Sequence, residues 1–198
     1  KVKSMGALLM KKKLLFFILI TLSFFLFSAS NTVTLINVNL DGSENLLTYP
    51  ADTKEFIFYN ADSKPYKTTK IKGLEKFKEL EVLRFYMLPF VEDYSFLKDV
   101  SKTCKELTLD GCQFYGFENI SHLTNLEEIF ISGSHWTDEQ YNALVKTGID
   151  LSCFPKLKSF SIEVSVGDDP RACYCSAIEI KHTKKMKREF GKVTFYDE

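Results

Sequence analysis

The sequence lacks the motifs that mark most catalytic sites. It contains no G-x-S-x-G turn and no cysteine–histidine signature. Nucleophilic catalysis needs a serine, cysteine or threonine beside a base that a third group holds in place. Asp and Glu are abundant, but charge on a solvated strand face is the ordinary condition of these residues. We therefore expect a protein that is not an enzyme, with no catalytic residues and no cofactor.

The chain also lacks an excess of basic residues. Lysine and arginine together number 26, and so do Asp and Glu. Five of the lysines and none of the acids precede Asn31, so the remainder carries about five more acidic than basic side chains. Nucleic-acid binding needs a basic footprint. This balance argues against a nucleic acid as the partner.

No apolar run is long enough to cross a bilayer as a helix. The longest, residues 14–27, falls short of the roughly 20 residues that a span requires. Three lysines precede the run and small residues follow it, which is the order of a secretory signal peptide. We predict that residues 1–30 are an N-terminal extension with a signal peptide, and that residues 31–198 form one domain. The expected location is secreted, periplasmic or cell-surface, without a stable membrane span after cleavage; the alternative is an uncleaved anchor.

An apolar repeat occupies the middle of the chain. In the stretch CKELTLDGCQFYGFENISHLTNLEEIFISG, apolar residues stand at positions 104, 107, 109, 112, 114, 117, 120, 123 and 126. Leu107 and Leu109 are two apart, so both side chains point to one face of a strand. The chain then turns at Cys112 and returns to Leu126, where the pattern starts again. A single coil cannot bury this set alone, so successive coils must stack.

Neighbouring segments fit the same frame. Clear repeats start at positions 80, 104, 126 and 157 and cover residues 77–163. Weaker matches lie at 35–40, 56–58, 175–180 and 190–195. The arc after Trp136 has the pattern of a helix, with Thr137 as its cap and Gly148 as its stop.

These repeats resemble those of secreted bacterial leucine-rich repeat proteins, of the internalin-like class. The motif L-x-x-L-x-L-x-x-C-x-L carries the resemblance, although Leu88, Cys112 and Ser134 stand where the family usually has asparagine. The resemblance implies an α/β fold. It would be a leucine-rich repeat solenoid with one parallel β-strand per repeat, mixed helix and irregular convex arcs, and a concave sheet that binds another macromolecule.

The residues between the inward-facing apolar positions should lie on the concave face. Several of them are large or charged, and tyrosine, phenylalanine and arginine are enriched in protein interfaces. The alternative is that exposed aromatic residues on strands reflect strand propensity and packing against their neighbours. The side chains that we expect to bind a protein or peptide partner are Tyr59, Arg84, Tyr86, Thr108, Asp110, Glu128 and Phe130.

The five cysteines fall into two groups. Cys104 and Cys112 occupy repeat core positions, where a free cysteine acts as a small hydrophobe. Cys153 is a candidate for a disulfide with Cys173 or Cys175, because a secreted chain permits such bonds. The C-x-C spacing at 173–175 has no second close pair, so we expect no metal site.

The function that these observations favour is a secreted or surface binding module for a protein or peptide. A self-associating scaffold is the alternative, since the last segment, VTFYDE, reads as a strand with an uncovered edge. An enzyme is the least favoured class.

Overall fold

The computed structural model describes residues 31–60, 67–114, 116–136, 138–166, 173–174, 178–189 and 192–197. The chain from Val33 onward forms one compact unit, and the other unit, Lys1–Thr32, lies almost entirely outside the described residues. In chain order, the described strands are β1 (Thr32–Asn39), β2 (Glu44–Pro50), β3 (Glu55–Tyr59), β4 (Thr68–Lys72), β5 (Val82–Leu88), β6 (Glu106–Cys112), β7 (Glu128–Trp136), β8 (Ile149–Asp150), β9 (Ser159–Val166), β10 (Cys173–Tyr174), β11 (Ile180–Lys181), β12 (Lys185–Glu189) and β13 (Lys192–Tyr196).

The largest sheet has the strand order β12-β13-β9-β7-β6-β5-β3, with β10 paired to β9. Strands β3, β5, β6, β7 and β9 run parallel, whereas β10 and β13 are antiparallel to β9, and β12 is antiparallel to β13. The predicted alignment of adjacent parallel strands is confirmed. Its register partners are Leu83, Leu107, Ile129 and Phe160.

The core lies on one side of the parallel strands. Alternate strand residues point to it, because successive side chains of a strand face opposite ways. Two buried rows cross the sheet: Phe56, Leu83, Leu107, Ile129 and Phe160, and then Phe58, Phe85, Leu109, Ile131 and Ile162.

The arcs that return the chain between strands are mostly 3-10 turns at Leu74–Lys76, Ser95–Asp99 and Phe117–Asn119. Their apolar residues recur every three positions, which matches the three residues per turn of a 3-10 helix. In one arc, Ile120 donates its N–H to Phe117, Leu123 to Ile120 and Leu126 to Leu123. Each of these bonds brings the next apolar side chain back to the core.

The one α-helix among the described residues is α1 (Asp138–Thr147). Its apolar residues Tyr141, Leu144 and Val145 have helical spacing and contact the core. The helix ends before Gly148, whose N–H donates to the Leu144 carbonyl over 2.8 Å. The predicted helix and its stop are confirmed, while the predicted cap, Thr137, lies outside the described residues.

The predicted fold class is wrong. The protein is mostly β with mixed and antiparallel sheets, and it is not an α/β leucine-rich repeat solenoid with helices on its convex arcs. Two physical reasons stand out. The period-three arcs form 3-10 turns instead of helices, and the flanks alternate with period two and form antiparallel pairs.

The N-terminal flank shows this second reason clearly. Strand β1 belongs to a separate sheet of order β2-β1-β4, where β4 is antiparallel to it. A turn that contains Asp41 and Gly42 separates β1 from β2, and the Gly42 N–H donates to the Asn39 carbonyl. Residues 35–40 are therefore not a parallel coil.

The C-terminal flank also departs from the predicted coils. Ile180 lies on β11, which pairs with β8 in a small sheet of its own. Strand β13 lies between β9 and β12 and is not the uncovered edge that the sequence suggested. The strand at that end of the large sheet is β12, whose five residues are all exposed.

Candidate binding face

The side chains that point away from the core on the five parallel strands form one continuous surface, which we call the outer face. Parallel pairing in register places equivalent positions of neighbouring strands side by side. The outer face consists of Glu55, Ile57 and Tyr59 on β3, Val82, Arg84 and Tyr86 on β5, Glu106, Thr108 and Asp110 on β6, Glu128, Phe130 and Ser132 on β7, and Ser159, Ser161 and Glu163 on β9.

All seven side chains predicted to bind a partner lie on this face, in three adjacent rows. Glu128 lies in the row nearest the strand starts, with Glu106. The structure brings together the residues that sequence spacing predicted to be neighbours; whether they bind a partner stays a prediction. The middle row contains Arg84, Thr108 and Phe130, and the last row contains Tyr59, Tyr86 and Asp110.

The β3 side of the outer face is aromatic and apolar. Tyr59 is 61% exposed and Ile57 is 48% exposed. The Tyr59 and Tyr86 rings have their centroids 6.0 Å apart, tilted by 48°. Two rings in contact lose little further freedom when a partner covers them, which favours this part of the face as a contact surface.

Met87 extends the exposed apolar surface and was not predicted. It is 44% exposed and is the one non-glycine residue with a positive φ among the described part of the chain, at 59°. The left-handed conformation turns its side chain out of the strand alternation. Methionine gives no sequence signal for this conformation, because asparagine, aspartate and glycine are the residues that usually adopt it.

Arg84 is held within the face by two carboxylates. Its guanidinium contacts the Glu55 carboxylate at 2.6 Å and the Glu106 carboxylate at 3.2 Å. These contacts tie β3, β5 and β6 together across the middle of the surface. Arg84 was predicted to bind a partner, which stays a prediction; in the structure each of its two terminal nitrogens contacts one of the protein's own carboxylates.

Other carboxylates on the face have no such partner. Among the described residues, no cation pairs with Asp110, Glu128 or Glu163. Glu81 and Glu127, which immediately precede β5 and β7, differ because each contacts a lysine. Glu81 contacts Lys105 at 2.6 Å and Lys54 at 3.7 Å.

The paired acids at the strand starts continue as a row of alternating charge. Glu127 pairs with Lys158, which immediately precedes β9. The contact with Lys105 lowers the pKa of the Glu81 carboxyl, and the contact with Lys158 lowers that of Glu127. A groove of about 360 Å³ runs along this row. Three of the residues that line the groove, Glu81, Lys105 and Glu127, are in ion pairs. The full lining is Glu79, Glu81, Thr103, Lys105, Asn125, Glu127 and Lys156.

The three cysteines whose side chains are described have thiols with a raised pKa. Cys104 and Cys112 are buried and free, and burial raises their pKa to about 12 and about 11. Cys153 is free and half-buried, and burial also raises its pKa. The Cys173 side chain and all of Cys175 lie outside the described residues, so a disulfide to either stays a prediction.

The described residues contain neither a candidate metal cluster nor a membrane-spanning helix. No group of three or more His, Cys, Asp and Glu side chains there is arranged to hold a metal ion. No helix in the same residues has the length and apolar character needed to cross a membrane.

Comparison with known proteins gives no information about the role of the outer face. No protein-family model matches the chain, and no curated protein matches it significantly.

Proposed function

We propose that the protein binds a protein or peptide partner through the outer face. The observation that carries the proposal is the cluster formed by the exposed Ile57 and Tyr59 and the half-buried Tyr86 on adjacent parallel strands. Exposed aromatic and aliphatic side chains gathered at one place on a surface are typical of interaction sites.

The backbone beneath the cluster supports this proposal. Strands β3 and β5 pair along five consecutive positions, and their opposite sides carry the buried Phe56, Phe58 and Phe85. Side chains anchored in this way are presented in one geometry before a partner arrives. Binding to such a preformed surface needs little backbone movement and avoids much of the ordering cost of association.

The middle of the outer face differs from its aromatic end in exposure and in ion pairing. Phe130 is half-buried and lies next to Thr108 in register, so it offers less area than Tyr59. Arg84 holds three strands in position through its two ion pairs. We therefore expect the tyrosines to contribute most of the contact energy and Arg84 to act by keeping the surface in shape.

The experiment is a selection of displayed random peptides on the purified protein, followed by affinity measurement on variants. We expect the double substitution Tyr59→Ser and Tyr86→Ser to weaken selected peptides by about tenfold or more, as for aromatic hot spots. Circular dichroism of each variant checks that the fold is intact.

Tyr196 provides the matched control. It is 46% exposed and lies on β13, which β9, β7 and β6 separate from the strands β5 and β3 that carry the tyrosine cluster. We expect Tyr196→Ser to leave the affinity unchanged. If the double variant retains the affinity for every selected peptide, or if Tyr196→Ser reduces it equally, the outer face is not the binding site.

A further inference from the structure

We infer that the segment recognised by the outer face is cationic, carrying lysine or arginine side chains; this inference rests on the proposed function. The five parallel strands present five carboxylates and one guanidinium on that face. The acids are Glu55, Glu106, Asp110, Glu128 and Glu163, and the base is Arg84. A surface of one charge sign selects a partner of the opposite sign.

The pattern of ion pairs adds to this imbalance. The single guanidinium of the face is shared by Glu55 and Glu106, so it offers no free positive charge to an anionic partner. Lysines meet acids at the strand starts instead, where Lys105 pairs with Glu81 and Lys158 with Glu127. The row of strand starts is therefore nearly neutral, whereas the outer face retains unpaired acids.

One row of the face combines two groups that attract a cation. Tyr59 is in register with Tyr86, and Tyr86 is in register with Asp110. An ammonium or guanidinium group above the tyrosine rings gains a cation–π interaction, and the adjacent Asp110 carboxylate provides an ion pair. An acidic or neutral segment gains neither, so this row discriminates among partners by charge.

The test uses three matched sets of peptides, each about twelve residues long, the length of a short recognition segment. The sets share their aromatic and aliphatic positions and carry lysine, serine or glutamate at the others. We expect the purified protein to bind the lysine set about tenfold or more tightly than the serine set. Raising the salt from about 0.05 M to about 0.5 M should weaken that binding by screening.

The variant that tests the face replaces Asp110→Asn, Glu128→Gln and Glu163→Gln together. The matched control replaces Glu44→Gln, Glu75→Gln and Glu118→Gln, which changes the net charge equally at exposed acids off the face. We expect the first variant to lose most of the preference for lysine and the control to keep it.

Three other outcomes overturn the inference. If the serine or glutamate set binds as well as the lysine set and Tyr59→Ser with Tyr86→Ser abolishes that binding, the cationic partner is wrong and the proposed function survives. Binding of no set also rejects a cationic segment, while the displayed-peptide selection decides the proposed function separately. A dimer detected by light scattering and lost in the face variant would make the occupant a second copy, through its exposed Lys185 and Lys187.

Discussion

The two faces of the same five strands follow different rules. On the inner face, Leu83, Leu107 and Phe160 are fully or almost fully buried, and every position in the two rows is apolar. On the outer face, neighbouring positions hold an arginine, a threonine and a phenylalanine. Packing constrains the inner side chains in size and polarity, whereas the outer ones are constrained only by what they contact. The outer face is therefore where a binding specificity can change without loss of the fold.

The largest test of this comparison uses two adjacent residues of β6. We expect Leu107→Ala to reduce the free energy of unfolding by about 2–5 kcal/mol, because it leaves a cavity in a closely packed core. Thr108→Ala, one residue away on the outer face, should change it by about 0.5 kcal/mol or less. Urea denaturation followed by circular dichroism measures both. Similar losses for the two variants would show that the faces do not differ in this way.

A second test concerns the point where strand alternation stops. Gly111 has a φ of +66°, and a Cβ there would lie 3.2 Å from the Met87 Cα and 2.7 Å from its Sδ. We expect Gly111→Ala to lower the free energy of unfolding by about 1–3 kcal/mol, through left-handed strain and crowding. The left-handed residue lets Cys112 stay buried three positions after Leu109, where strict alternation would point it outward.

Gly42 separates the two contributions to that loss. It has a φ of +81° with no atom within 4 Å of an added Cβ, so Gly42→Ala measures the strain without the crowding. We expect a smaller loss there than for Gly111→Ala, in the same thermal or urea unfolding experiment. A larger loss for Gly42→Ala would contradict the close approach of Met87 to Gly111.

The smallest effect is expected at the strand starts. Exposed ion pairs add little to stability. The double variant Glu81→Gln with Glu127→Gln should therefore lower the melting temperature less than Leu107→Ala or Gly111→Ala does. Both carboxyls have a lowered pKa in the folded protein. Their stabilisation is therefore present above the ordinary glutamate pKa and is lost as the pH falls through the lowered value.

Calorimetry of the wild type and the double variant at several pH values checks this expectation. The difference in melting temperature should be present at neutral pH and disappear at strongly acidic pH or in high salt. A difference that grows on acidification would have the wrong sign for paired carboxylates.

The apolar pattern predicted the parallel strands because each coil repeats the same spacing. The spacing of Leu107 and Leu109 predicted both the strand and the face that points to the core. The equivalent pairs in the neighbouring repeats predicted the register between strands. The same reasoning predicted which residues share the outer face, since alternation fixes them once the inner rows are known. The binding role of those residues depends on a partner, which no spacing within the chain specifies.

The flanks were harder to predict because strand patterns do not encode direction. Val193 and Phe195 are buried two apart, just as Leu107 and Leu109 are, yet β13 runs antiparallel to its neighbour. The pairing of Arg84 with Glu55 and Glu106 was also missed, because contacts across strands depend on side-chain conformations that alternation does not determine. The strict period of three in the arcs, which differs from the 3.6 of an α-helix, is the sequence signal for their 3-10 turns.

The reversal of direction at β9 has a consequence for synthesis of the chain. As the polypeptide leaves the ribosome, β5, β6, β7 and β9 each find a preceding strand with which to pair. One edge of β9 instead pairs with β13, whose residues come later in the chain. Until β13 is added, the backbone groups on that edge of β9 beside Phe160 have no strand partner, and an unpaired edge can pair with another chain.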